Sequence, residues 1–211
     1  MAVIRTARAW LRKRNEILAA VLLAFAALAT AWSSYQASLW GGIQATEYNL
    51  SSGLRLSATH AADDAMRYRL LDIALFSQWL QVYVAGRTGL ATIYEEHFRP
   101  EFSVAFRAWR SLDSTKMRAT TPFELPAYHL QQTRAAEEFS ADAAKALQAA
   151  QRANRVSDQY VFVTVLLALV IFFAGAIRPL VSMPLRGPAL LMSALLCAWA
   201  VVRIITSPLA G

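Results

Sequence analysis

Three long runs of apolar residues divide this chain, and they limit its possible folds more than any other feature. They fall within 17–40, 159–178 and 189–206, and the first opens ILAAVLLAFAALATA without a single charge. A helix rises about 1.5 Å per residue, so about 20 apolar residues cross a hydrocarbon core about 30 Å thick. Each run is close to that length. A soluble chain of 211 residues has no use for such segments, and the 56% hydrophobic content agrees. The expected fold is an all-α integral membrane protein. It has three transmembrane helices plus an extracytoplasmic helical hairpin or bundle.

Charge is sorted around these runs. Arg5, Arg8, Arg12, Lys13 and Arg14 crowd the N-terminal arm 1–16, and Arg178 and Arg186 occupy the short connection between the second and third runs, Arg186 within the 179–188 loop. Between the first two runs, residues 41–158 hold 13 Lys/Arg against 13 Asp/Glu. The net charge of +7 is therefore a topology signal and not a nucleic-acid footprint. Basic flanks stay in the cytoplasm. Both the arm and the 179–188 loop are expected there, with 41–158 and the C-terminal 207–211 outside. Trp10 on the inner side and Trp32 and Trp40 on the outer read as interfacial anchors. Arg12, Lys13, Arg14, Arg178 and Arg186 are the charged anchors. Ala29-Thr30-Ala31 offers a signal-peptide cleavage site, but the Ala-rich helix runs on past it, which favours an uncleaved anchor.

The segment between the first two spans reads as helical. From Leu54 to Ala85 there is no Gly or Pro. Ala62, Met66, Leu70, Ile73, Phe76, Leu80 and Tyr83 recur at 3–4 spacing, which predicts one apolar stripe. Gly41-Gly42 and Gly53 are expected to kink the path from the membrane. Gly86-Arg-Thr-Gly89 marks a break, a short helix follows over 90–97, and Pro100 opens another. That helix carries Phe102, Phe106 and Trp109 at i, i+4 and i+7. Residues 111–126 read as the loop at the tip. The return helix is expected from Ala127, continuing into the second span. Phe139, Ala143, Ala146, Ala150 and Ala153 repeat along it at 4-3-4-3, a stripe of small residues that lets helices approach closely. A single Ala-rich hairpin buries little surface, so the Ala and aromatic stripes are the expected interface with a partner.

Motifs for chemistry are sparse. His60, Asp64, Glu96 and His97 are the candidate metal ligands, but the Glu-x-x-His pairs of di-iron bundles are missing. Glu95-Glu96 and Glu137-Glu138 point about 100° apart on a helix, so neither forms an acid/base pair by itself. G-x-S-x-G, Gly-rich phosphate loops and H-E-x-x-H are absent from the sequence. The lone cysteine, Cys197, lies in the third run and reads as a small packing residue. No catalytic residue, cofactor or nucleic-acid partner is expected. The expected partners are the lipid bilayer and another membrane protein or a second copy of the chain.

The stretches AWSSYQASLWGG (31–42) and SDQYVFVTVLLALVIFFAG (157–175) resemble uncharacterised bacterial membrane proteins. Those have one N-terminal span, a helical extracytoplasmic region and a C-terminal hairpin of spans. The resemblance implies a bacterial inner membrane and carries over no functional residues. The expected function is that of a non-enzymatic interaction protein, an accessory or scaffolding subunit or a homo-oligomer. The alternatives are an extracytoplasmic sensor acting through a partner, or an oligomeric pore or facilitator.

Overall fold

No proline precedes Pro100, so nothing in the first part of the chain removes a backbone donor from a growing helix. The result is α1, Ala2–Val84, a helix of 83 residues. The computed structural model describes the backbone of 2–176 and 186–210 and the side chains of 16–175 and 187–210. The anchors Trp10, Arg12, Lys13, Arg14, Arg178 and Arg186, and most of the 179–188 loop, lie outside the described side chains. Gly41, Gly42 and Gly53 sit inside α1 without interrupting it. A glycine weakens a helix interior by roughly 0.5–1 kcal/mol but blocks no hydrogen bond.

Gly86 ends α1. It takes φ +73°, and the Arg87 amide donates to Val82 O at 3.0 Å while the Gly86 amide donates to Tyr83 O at 3.1 Å. This pair of bonds closes off the last helical carbonyls around a left-handed residue. Then come α2 (Thr88–Glu96) and α3 (Pro100–Arg110), the latter with Pro at its first turn. The expected loop 111–126 contains α4 (Ser114–Ala119) and a 3₁₀ turn over Pro122–Glu124. The missed signal is Asp113, whose carboxylate accepts from the Thr115 and Lys116 amides at 3.1 and 2.9 Å and caps α4. The return helix α5 spans Gln131–Ala176, four residues later than expected, and it does run unbroken into the second apolar run. The last helix, α6, is Arg186–Thr206.

Of the described residues 89% are helical, and none lies in a strand. Three of its helices, α1, α5 and α6, are long and apolar enough to cross a membrane. Their most apolar windows are only 17–28% buried within the protein. Side chains such as Leu28, Phe172, Leu191 and Ile205 point outward. An outward apolar face of this kind suits lipid, where the helical backbone has already satisfied its own polar groups.

The protein divides into two compact units. The first comprises Met1–Asn49 and Leu147–Gly211. Its core joins Ala26 and Ala29 to Val163, Leu166, Leu167 and Val170 and to Cys197 and Ala200. Ala150 and Ala153 are also buried in this unit. At one end its polar contacts converge. Ser157 Oγ donates to Ala37 O, while Trp40 Nε1 and the Tyr160 hydroxyl both donate to Pro208 O. The Ala210 amide donates to buried Gln36 Oε1 at 2.9 Å. The end of the first apolar run, the start of the second and the end of the third therefore lie together. That is an up-down-up arrangement.

The second unit is Leu50–Ala146. Here α1 and α5 approach closely enough for Ser51 Oγ to donate to Ala143 O at 2.9 Å. Ala143 is 1% exposed, so a larger side chain has no space. Ala143→Leu is expected to destabilise this unit by about 1–3 kcal/mol through overpacking. Lowered hydrogen-exchange protection across 131–146 checks it.

Candidate functional site

The stripe expected on α1 splits in two. Phe76 faces inward with Ala65, Asp72 and Trp79, all buried. Met66, Leu70, Ile73 and Leu80 face outward and are exposed. At about 100° per residue the two faces lie roughly a quarter-turn apart.

The inward face meets α2, α3 and the 3₁₀ turn in an aromatic core. Phe76, Trp79, Phe98, Phe102, Phe106 and Trp109 are buried together, with Phe123 and Tyr128 packed against them. Edge-to-face contacts dominate, as between Phe76 and Trp109 at 5.4 Å and between Trp79 and Phe106 at 4.8 Å. Phe102, Phe106 and Trp109, expected at an intermolecular interface, are thus packed inside the chain. The alanine stripe is packed inside too: Ala143, Ala146, Ala150 and Ala153 are all buried, and only Phe139 of that set stays exposed. The physical reason is that small residues let α1 approach α5 directly.

Two polar clusters pin this core, and the sequence reading named neither. Asp72 is fully buried and receives the Tyr128 hydroxyl at 3.0 Å on Oδ2. Arg99 Nε lies 3.4 Å from its Oδ1, an ionic contact outside hydrogen-bond geometry. The Arg99 guanidinium also binds Glu101 and stacks over Tyr68 at 4.1 Å. Burial pushes the Asp72 carboxyl above its ordinary range, against the opposing pull of Tyr128 and Arg99. Burial, then the bond to Asp72, likewise holds the Tyr128 phenol far above its usual value. The available signal was that Asp72 is the sole charge between Leu70 and Gly86.

The second cluster centres on Glu95. Its Oε1 accepts from Trp79 Nε1 and from Arg110 Nη1, both at 2.9 Å. Arg110 in turn lies over the rings of Trp79, Tyr83 and Phe106. Adjacent Glu96 is exposed, so the Glu-Glu pair splits between core and solvent as the helical angle requires.

The candidate metal ligands do not converge. His60 is exposed, Asp64 pairs with Arg67, and His97 Nδ1 lies 2.7 Å from Ile93 O. Among the described residues, no group of three or more His, Cys, Asp or Glu side chains is placed to hold a metal ion.

A long open groove of about 1550 Å³ runs between α1 and α5 in this unit. Small residues such as Ala58, Ala62 and Ala141 line its floor, and Arg69, His129 and Arg134 stand along it. Comparison with protein-family models, with curated proteins and with solved structures finds no match. What characterises this protein is therefore its own architecture, an all-helical chain with three helices long and apolar enough to cross a membrane.

Proposed function

We propose that this chain is a non-enzymatic integral membrane interaction protein. It serves as an accessory or scaffolding subunit of a membrane complex, or as a homo-oligomer, and its interface lies on the helices between the first and second spans. The observation that carries this reading is the outward face of α1, where Met66, Leu70, Leu80 and Val84 stay exposed beyond the apolar run. Glu47, Arg55, Asp63 and Asp64 separate that face from the first span, which argues for water around it and not lipid. A row of large apolar side chains in water calls for a partner. The two carboxylates fit the same reading as braces of the aromatic core, Asp72 accepting from the Tyr128 hydroxyl and Glu95 from the Trp79 indole.

We further place the protein in a bacterial inner membrane, alongside the three-span proteins its sequence resembles. The N-terminus is cytoplasmic, and 41–158 and the C-terminus are outside. The basic N-terminal arm supports this orientation. A Lys116→Cys variant should react with a membrane-impermeant thiol reagent in cells whose outer barrier is opened, and labelling only after lysis would reverse the topology.

Purification in mild detergent followed by native mass spectrometry tests the function. A stoichiometric second protein, or a defined oligomer, is the expected result. A lone monomer across gentle detergents and lipid nanodiscs overturns it. The groove between α1 and α5 favours a second reading, a sensor that signals through a partner. A small molecule that raises the melting temperature of the 50–146 unit would support that reading.

A further inference from the structure

The outward face of α1 has an internal order that its exposure alone does not reveal. Met66, Leu70, Ile73, Ser77, Leu80 and Val84 follow one another at intervals of 4-3-4-3-4, and every one of them is exposed. That spacing is the d-a-d-a-d-a seam of a coiled coil, whose 3.5-residue period keeps one stripe facing a second helix. We propose that this seam docks a second copy of the same chain, α1 against α1, parallel and in register. The proposal rests on the interaction reading above and names its partner.

Three observations select a second copy over an unrelated helix. First, a heptad seam is self-complementary, because each knob position meets the identical position of the partner and packs into a hole of equivalent residues. Second, α1 is one unbroken helix that includes the first apolar run. Two copies inserted in one bilayer with the same orientation carry the seam the same number of residues beyond the first apolar run, which favours a parallel, in-register pairing. Third, the flanking charges suit that register. Arg67 occupies an e position and faces Ala62 at g of the other copy; Arg69 occupies g and faces Ala74 at e. Neither guanidinium opposes a like charge, and each aliphatic stem lies over a methyl group. One turn toward the N-terminus, Asp63 takes the next a position, where two copies in register would set like charges against each other, so the seam ends there.

Ser77 is the single polar residue in the seam. Its hydroxyl donates to Ile73 O at 2.8 Å, so it enters the interface already satisfied and small. The seam covers fewer than three full heptads, short for a coiled coil free in solution. Membrane anchoring compensates, because it fixes orientation in advance and raises the effective concentration of one copy for another.

Cysteine cross-linking of the full chain in native membranes tests the proposal, in a Cys197→Ser background that removes the one native thiol. Ile73→Cys and Leu80→Cys place thiols at d positions; Gln78→Cys places one at an exposed b position of the same helix. With a short thiol-specific cross-linker, most of the Ile73→Cys and Leu80→Cys protein should shift to twice the chain mass, and Gln78→Cys should stay monomeric. Adding Leu70→Glu to Leu80→Cys should abolish the shift, and adding Ser77→Leu should increase it. The Ser77 variant reads the seam even where Leu70→Glu impairs folding. Equal linkage at all three positions, no linkage at any, or adducts whose mass is not twice the chain would each overturn the seam. Failed linkage alongside a partner or oligomer in native mass spectrometry would sink this proposal and leave the interaction reading standing. A lone monomer would sink both.

Discussion

Asp72→Ala should lower the stability of the 50–146 unit by about 3–5 kcal/mol, read as lost hydrogen-exchange protection across α2, α3 and the α1 segment opposite them. Asp72 is fully buried, and two groups depend on it. The Tyr128 hydroxyl loses its acceptor, which costs about 1–3 kcal/mol when a buried donor is left unpaired. Arg99 loses an ionic neighbour but keeps Glu101 and the Tyr68 ring, and it is 20% exposed. The Arg99 part of the loss therefore belongs at the low end of the range for a broken buried pair.

Asp72→Asn separates shape from charge, and the difference has a sign in pH. Burial holds the Asp72 carboxyl above its ordinary value of 3.8 in the folded protein. The folded state thus binds a proton more tightly than the unfolded chain does. The resulting stability is fully present below the ordinary pKa and is lost as pH rises through the folded value. Asn mimics the protonated acid and carries no such dependence. The advantage of wild type over Asp72→Asn should be greatest at or below the ordinary value of 3.8 and shrink over the pH window above it. Other titrating groups are common to both proteins and cancel. Parallel melting curves check this, and a difference that is flat with pH would show that the carboxyl does not change its protonation in that window.

The larger features of the fold were legible because they rest on length and composition. An unbroken apolar run of about 20 residues has few structural alternatives. The Gly86 break and the Pro100 start were legible for the same kind of reason, since each residue acts on its own backbone. The α1 stripe was harder. Met66, Leu70, Ile73, Phe76 and Leu80 fit one 3–4 pattern, yet Phe76 points into the core while the rest point out. Two apolar faces a quarter-turn apart overlap in a one-dimensional pattern, and only the position of α3 separates them. The small-residue stripe on α5 failed differently. Its spacing showed correctly that a helix packs there, but spacing does not say whether that helix belongs to the same chain. Asp72 stood out in the sequence only as an isolated charge and Glu95 only as half of an acidic pair; their roles needed their partners, because Arg99, Tyr128 and Arg110 come from other elements.

Trp79→Ala should be as damaging as the loss of Asp72, at about 3–5 kcal/mol. Trp79 is 1% exposed, stacks on Tyr83 at 4.8 Å, meets Phe106 edge-on at 4.8 Å and donates to Glu95. Its removal leaves a cavity in a core whose other rings are held by mutual contact and do not collapse freely into the gap. Trp79→Phe keeps most of the ring volume and loses the donor. Glu95 retains Arg110, so that variant should cost only about 1–2 kcal/mol. Leu80→Ala, at the neighbouring position on the exposed face, should change the stability of the detergent-dispersed monomer by no more than about 0.5 kcal/mol. Hydrogen exchange and thermal melting should therefore respond to Trp79 and ignore Leu80, whereas dimer cross-linking in membranes should depend on the Leu80 face. Matching losses of stability at the two positions would mean that both faces of α1 pack within one chain, and the division between a structural face and a docking face would fail.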